Sequence, residues 1–179
     1  MLTWAEWAGR EVNIESNERM NEDETEMAEA YALLRGFELT GQLGSGMNGR
    51  VWKVRDNRKR AWALKIQDLH GFRLERACYE RLEELAVTEV AGFNVPVLIH
   101  AEERWRAIEM SIVDRPFILD FAQAYLDAPP DFPEEVWEER LETWESRYED
   151  DWPMVKQALR ELKLLGIHYL DVHRGNIAP

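Results

Sequence analysis

The chain has 179 residues, a formal net charge of −13 and 45% apolar residues, eight of them Trp. That charge excludes a basic nucleic-acid binder or a protein drawn to anionic membranes, and the apolar content excludes a disordered chain. No apolar run reaches the length of a membrane span.

Trp4, Glu6 and Trp7 occupy the start, where a secretory signal would be basic and then apolar. Cys78 is the only cysteine, so there is no internal disulfide. Both observations place the chain in the reducing cytoplasm. The length holds one ordinary domain or two small lobes. The negative charge is concentrated in two stretches: residues 15–29 carry −6 and residues 127–151 carry −9, so the remainder is close to neutral.

In chain order, residues 3–12 read as a short helix with Trp4 and Trp7 on one side. A second helix, capped by Asn17 or Asn21, runs to Arg35 with Met20, Met27, Ala30, Tyr31 and Leu34 near helical spacing. It reads as a helix packed on its own domain rather than as a binding element. Phe37, Leu39, Gly41 and Leu43 alternate as a strand.

Gly44, Gly46 and Gly49 then have the G-x-G-x-x-G spacing, with Ser45 between the first two and Val51 following. A backbone that must lie against phosphates has no room for Cβ atoms. A dinucleotide-binding fold uses the same spacing, but needs a helix next and an acid about 20 residues on. Asp68 is near that distance. The residues that follow, however, are Val51, Trp52 and Val54, broken by Asp56-Asn57, which reads as a strand and a turn.

On the next strand Ala63 and Lys65 share one face, with Trp62, Leu64 and Ile66 on the other. A small residue leaves room for a flat base, and a lysine beside it reaches phosphates. Read alone, the pair is an exposed strand lysine with a small neighbour.

His70 to Ala86 reads as a helix with Cys78, Tyr79, Leu82 and Leu85 on its apolar stripe. Of two acids that could pair with Lys65, Glu75 falls within about 20° of Leu82 and Glu80 about 160° away. Glu75 is the expected partner, because a carboxylate on an apolar face calls for a cation. Val95–Ile99 and Ala107–Val113 complete a five-stranded sheet, ended by Asp114-Arg115-Pro116.

Phe117–Leu126 reads as a helix, broken by Pro129 to Pro133. From Glu134 the bulky residues Trp137, Leu141, Trp144, Tyr148 and Trp152 form one stripe on an acidic helix. Such a stripe more often docks on its own domain than on a partner. Pro153 suits the first turn of a last helix with Val155, Leu159, Leu162 and Leu165 inward, and Gly166 stops it. Asp171 and Asn176 follow at D-x-x-x-x-N spacing, which by itself is common among ordinary loops of capping residues.

The Gly loop, Ala63-Leu64-Lys65 and Asp171…Asn176, in that order, resemble the protein kinase-like superfamily. Asp171-Val172-His173-Arg174-Gly175-Asn176 is similar to the Asp-x-His-Pro-Gly-Asn loop of aminoglycoside and choline phosphotransferases and related atypical bacterial kinases. Arg174 stands where that family has Pro. Tyr169-Leu170-Asp171 replaces His-Arg-Asp, and His168 lies one place early. The resemblance covers roughly Phe37 to Ala178.

It implies an α+β, protein kinase-like fold: a helical extension at 1–36, an N-lobe at 37–113 with a five-stranded antiparallel sheet plus helix, and a truncated helical C-lobe at 114–179. ATP and Mg²⁺ are the implied cofactors. Gly44, Ser45, Gly46, Gly49, Val51, Ala63 and Lys65 would surround the nucleotide. Met110 would guard the back of the adenine pocket or simply fill core, with backbone groups of Ser111 and Val113 at the base. Glu75 would orient Lys65, Asp171 would accept the acceptor's hydroxyl proton, and Asn176 would hold the metal.

The family's metal-binding Asp-Phe-Gly would follow Asn176, and the sequence ends at Pro179 without one. The expectation is therefore an ATP-binding phosphotransferase-type protein of weak or absent activity. The alternative is a pseudokinase scaffold that binds a protein partner through acidic, Trp-rich helices. Nucleotide is the expected partner, with a protein partner or self-association through apolar helix faces, and with neither nucleic acid nor membrane.

Overall fold

The structure, a computed structural model, describes residues 14–46 and 48–179; the helix expected at residues 3–12 lies outside them. Helix α1 (Ile14–Arg35) leads into strands β1 (Glu38–Gly46), β2 (Gly49–Arg55) and β3 (Ala61–Ile66), then helix α2 (Leu69–Glu84). Four further strands follow: β4 (Glu89–Val90), β5 (Phe93–Asn94), β6 (Leu98–Glu102) and β7 (Ala107–Met110). The second half holds β8 (Phe117–Ile118), β9 (Ala124–Leu126), α3 (Glu134–Tyr148), α4 (Trp152–Leu164), β10 (Ile167–Tyr169) and β11 (Ile177–Ala178).

The expected α+β class and five-stranded antiparallel sheet are present, in the order β1-β2-β3-β7-β6. Two of its strands are displaced from the sequence expectation, β6 starting at Leu98 and β7 ending at Met110.

The sheet separates two cores because β3 alternates. Leu64 and Ile66 pack with Trp52, Val54, Ala28 and Tyr31, so that α1 covers one face. Ala63 and Met110 join Phe72, Tyr79 and the helical half on the other face. The α1 stripe differs from the one expected: Ala28 and Tyr31 are buried, whereas Leu34 is exposed. One carboxylate fastens α1 to the sheet. Buried Glu109 accepts hydrogen bonds from Tyr31 Oη at 2.7 Å and Trp62 Nε1 at 2.9 Å, and meets Arg35 Nη2 at 3.2 Å.

The largest departure from the sequence reading lies at 117–126, which is not a helix. Phe117–Ile118 pairs antiparallel with Ile177–Ala178, and Ala124–Leu126 with Ile167–Tyr169. Both partners are remote in sequence, so local periodicity carries no trace of them. Asp120, at φ +56°, sits in a left-handed conformation that a helix interior does not admit.

Trp144, Tyr148 and Trp152 are buried, as are Val155 and Leu162, so the aromatic stripe of α3 docks on α4 within its own domain. A pocket of about 410 Å³ remains between them, lined by Trp137, Leu141 and Leu159 among others. Among the described residues no helix is long and apolar enough to cross a membrane.

Candidate functional site

The cleft side of the sheet carries the residues singled out by sequence. Register pairs Val51 with both Gly44 and Lys65, and Ala63 with Met110, which aligns all five across four strands. Gly49 has φ +111°, and a Cβ there would lie 2.3 Å from the Ile66 carbonyl oxygen, so only glycine fits. Gly44 and Gly46 are different: among the described residues a Cβ on either would meet nothing within 4 Å, so packing among those residues does not demand glycine at these two positions.

Lys65 is 2% exposed and Glu75 is wholly buried. The Lys65 ammonium lies 2.8 Å from Glu75 Oε2, the partner expected from helical spacing, while Glu80 pairs with Arg76 on the surface. Gln67 Nε2 also donates to Glu75 Oε2, at 2.7 Å. Asp68 caps α2 by accepting from the backbone of His70 and Gly71, which fixes the helix that presents Glu75.

A second carboxylate shares the ammonium: Asp120 Oδ1 is 2.9 Å from Lys65 Nζ. Burial alone would lower the lysine's pKa, but Glu75 and Asp120 outweigh it and hold the group above its usual value. Burial, reinforced by Asp120, pushes the Glu75 carboxyl up against the pull of Lys65.

Sequence reasoning missed Asp120. The signal was Asp120-Phe121-Ala122, an acid, an aromatic and a small residue, inside a segment taken for a helix and upstream of the loop expected to precede it. Asp120 thus brings a second carboxylate to the Lys65 ammonium from before Asp171 in the chain. Phe121 is fully buried and packs edge-on against Tyr79 of α2 at 5.3 Å and Tyr169 of β10 at 5.4 Å. Its N–H points at Glu75 Oε1, 3.4 Å away. The Asp120 loop is thus locked between α2 and the strand that leads into Asp171. Tyr169 Oη also donates to the Leu119 carbonyl, next to Asp120.

Asp171 Oδ2 accepts from Asn176 Nδ2 at 2.9 Å and from Asn48 Nδ2 at 3.0 Å. Asn48 belongs to the Gly loop, and its own Oδ1 accepts from Gln123 Nε2 at 3.0 Å. One side chain thereby ties the Gly loop to both acid-bearing loops, a role with no signature in the sequence. Burial raises the Asp171 pKa; His173 opposes that shift, and Asp120 adds to it.

The loop after Asp171 is held from α3. Arg174 Nη1 meets Asp151 Oδ2 at 2.8 Å, its Nη2 donates to the Tyr148 carbonyl, and Arg147 Nη1 donates to the Val172 carbonyl at 2.6 Å. These contacts show what Arg174 does where the resembled loop has Pro: it fastens the loop to the end of the acidic helix.

At the other end of the cleft Met110 is nearly buried, and its sulfur accepts from Tyr79 Oη at 3.2 Å. The Ser111 N–H donates to the Val97 carbonyl at 2.9 Å, so that donor is already engaged within the chain.

Among the described residues there is no group of three or more His, Cys, Asp or Glu arranged for a metal. Asp120 and Asn176 nonetheless suit a hard cation that brings its own phosphate and water ligands. Asn176 spends its amide nitrogen on Asp171, and Asp120 engages Lys65 through Oδ1. Among the described residues Asn176 Oδ1 and Asp120 Oδ2 thus remain as oxygen donors.

No protein-family model matches the sequence, and no curated protein matches it significantly. Among solved structures the chain is similar to the Rio2 kinase of Chaetomium thermophilum, crystallised as an ADP/Mg²⁺–phosphoaspartate complex. The two share 19% identity over 66% of this chain, with a TM-score of 0.35. The aligned part spans 39% of that kinase.

Proposed function

We propose that the chain binds Mg·ATP in this cleft and transfers its γ-phosphoryl group to an acceptor hydroxyl. The observation that carries the reading is the buried Lys65 ammonium shared by Glu75 and Asp120, with Asp171 and Asn176 on the adjoining loop. Two acids spent on one buried lysine are costly unless they serve a ligand.

In this reading Lys65 holds phosphate oxygens, oriented by Glu75, and the open space over Gly44 and Gly46 lets backbone approach the phosphates. Ala63, Val51 and Met110 line the base's place. Asp120 and Asn176 are the residues that would hold Mg²⁺, which when bound neutralises charge on the phosphoryl oxygens. The acceptor oxygen bonds to the γ-phosphorus as the bond to the β–γ bridging oxygen breaks, ADP leaves, and the hydroxyl proton passes to Asp171. The raised pKa of Asp171 suits that role, since a base works best near the ambient pH.

The expectation of weak or absent activity rested on a missing carboxylate; in this reading Asp120 would supply one. The experiment is ATP turnover by the wild-type chain beside Asp171→Asn and Asp120→Asn. Mg²⁺-dependent ADP release that falls about a hundredfold or more in each variant supports the reading. Tight Mg·ATP binding without turnover would leave the scaffold alternative.

A further inference from the structure

Arg140 lies on α3 one helical turn before Trp144 and two before Tyr148, the two buried residues of that helix. At this spacing the three share a face. That face meets the loop carrying Asp171: Tyr148 Oη donates to the Ile177 carbonyl at 2.9 Å, and neighbouring Arg147 to the Val172 carbonyl. Arg140 is thus a cation on the inward side of an otherwise acidic helix.

The other cations around the loop are engaged. Lys65 has Glu75 and Asp120, Arg174 has Asp151, and Arg147 has the Val172 carbonyl. Arg140 stacks over the Phe132 ring at 5.1 Å, and its Nε is shut off from solvent with no hydrogen-bond partner. Among the described residues no carboxylate lies within salt-bridge distance of it. Burial pushes the guanidinium's pKa down, and the anionic charge nearest in effect is that of Asp171. A planar fork of five donors, partly withdrawn from water and left without an anion, is costly. Beside a general base it is suited to take a carboxylate or phosphate through two parallel hydrogen bonds.

Resting on the phosphoryl-transfer reading above, we propose that Arg140 binds an anionic group of the acceptor: the acceptor carries a carboxylate or phosphate besides the hydroxyl presented to Asp171. The same chemistry could come from the nucleotide's γ-phosphate, so the test separates the two sources.

Succinate, a simple dicarboxylate, is titrated into the whole chain, both free and saturated with Mg·AMP-PNP so that the γ position is filled. Calorimetry reports binding in wild type and variants, and in the wild type the Arg140 Nε–H resonance also reports occupancy. Saturable binding is expected in both states, weakened about tenfold or more in Arg140→Gln. Arg140→Lys, which keeps the charge but not the fork, should lie between and serves if the glutamine variant does not fold. The ratio of AMP-PNP to ADP affinity should be the same in wild type and variants. A fall in that ratio assigns Arg140 to the γ-phosphate and overturns the proposal. Absent succinate binding, or binding indifferent to Arg140, overturns it as well. Failure of AMP-PNP to bind strikes the nucleotide reading instead, and the titration of the free chain still decides the anion site.

Discussion

Lys65 Nζ and Asp120 Oδ1 lie 2.9 Å apart, although Asp120 is carried by a loop that precedes Asp171 in the chain. Two short ladders make the meeting possible. β8 pairs with β11, just after Asn176, and β9 with β10, just before Asp171. The acid-bearing loops are thereby laid side by side, whichever comes first in sequence.

Glu109 should be the main fastening of α1. Its carboxylate satisfies Tyr31, Trp62 and Arg35 inside the structure. Glu109→Ala leaves those donors without an acceptor and should cost about 3 kcal/mol, with Glu109→Gln costing less. Chemical denaturation measures both; equal stability of Glu109→Ala and wild type would contradict the role.

Gly49 should tolerate no side chain. With φ +111° and the Ile66 carbonyl 2.3 Å from a would-be Cβ, Gly49→Ala should cost about 3 kcal/mol or shift the Gly loop. Gly46→Ala has open space and should leave the melting temperature nearly unchanged while weakening nucleotide binding. A loss of stability in both variants, or in neither, would contradict the distinction.

Asp171 should cost stability. Its folded pKa is raised, by burial first and by Asp120, while His173 and the amides of Asn48 and Asn176 oppose the rise. In the window between its ordinary value of 3.8 and the raised value, the folded state holds the proton more tightly than the unfolded one. Stability from this group is present at low pH and is lost as pH rises through that window. Asp171→Asn should flatten the decline and be more stable than wild type at neutral pH. Denaturation across pH checks it, and a variant less stable at neutral pH would count against it.

Local sequence signals proved legible wherever one face of one element decides the outcome. The alternation of Trp62, Leu64 and Ile66 against Ala63 and Lys65 gave the two faces of β3, and the helical angle of Glu75 picked it over Glu80. The segment 117–126 was illegible for a physical reason. Its strands are two and three residues long and owe their form to partners far along the chain. Asp120 was hidden by that same error. Asn48 was hidden because a loop amide has no periodicity to betray its reach. The engagement of the Ser111 N–H by the Val97 carbonyl was equally hidden, because it joins segments with no shared local pattern.

Calorimetry of ATP with and without Mg²⁺, on wild type, Lys65→Ala and Asp120→Asn, tests the central claim most directly. The wild type should bind Mg·ATP, and Lys65→Ala should bind it about tenfold more weakly or worse, a loss of about 1.4 kcal/mol. Asp120→Asn should bind metal-free ATP about as well as wild type does, but should lose the added affinity that Mg²⁺ gives. Equal Mg·ATP affinity in all three proteins would contradict the account.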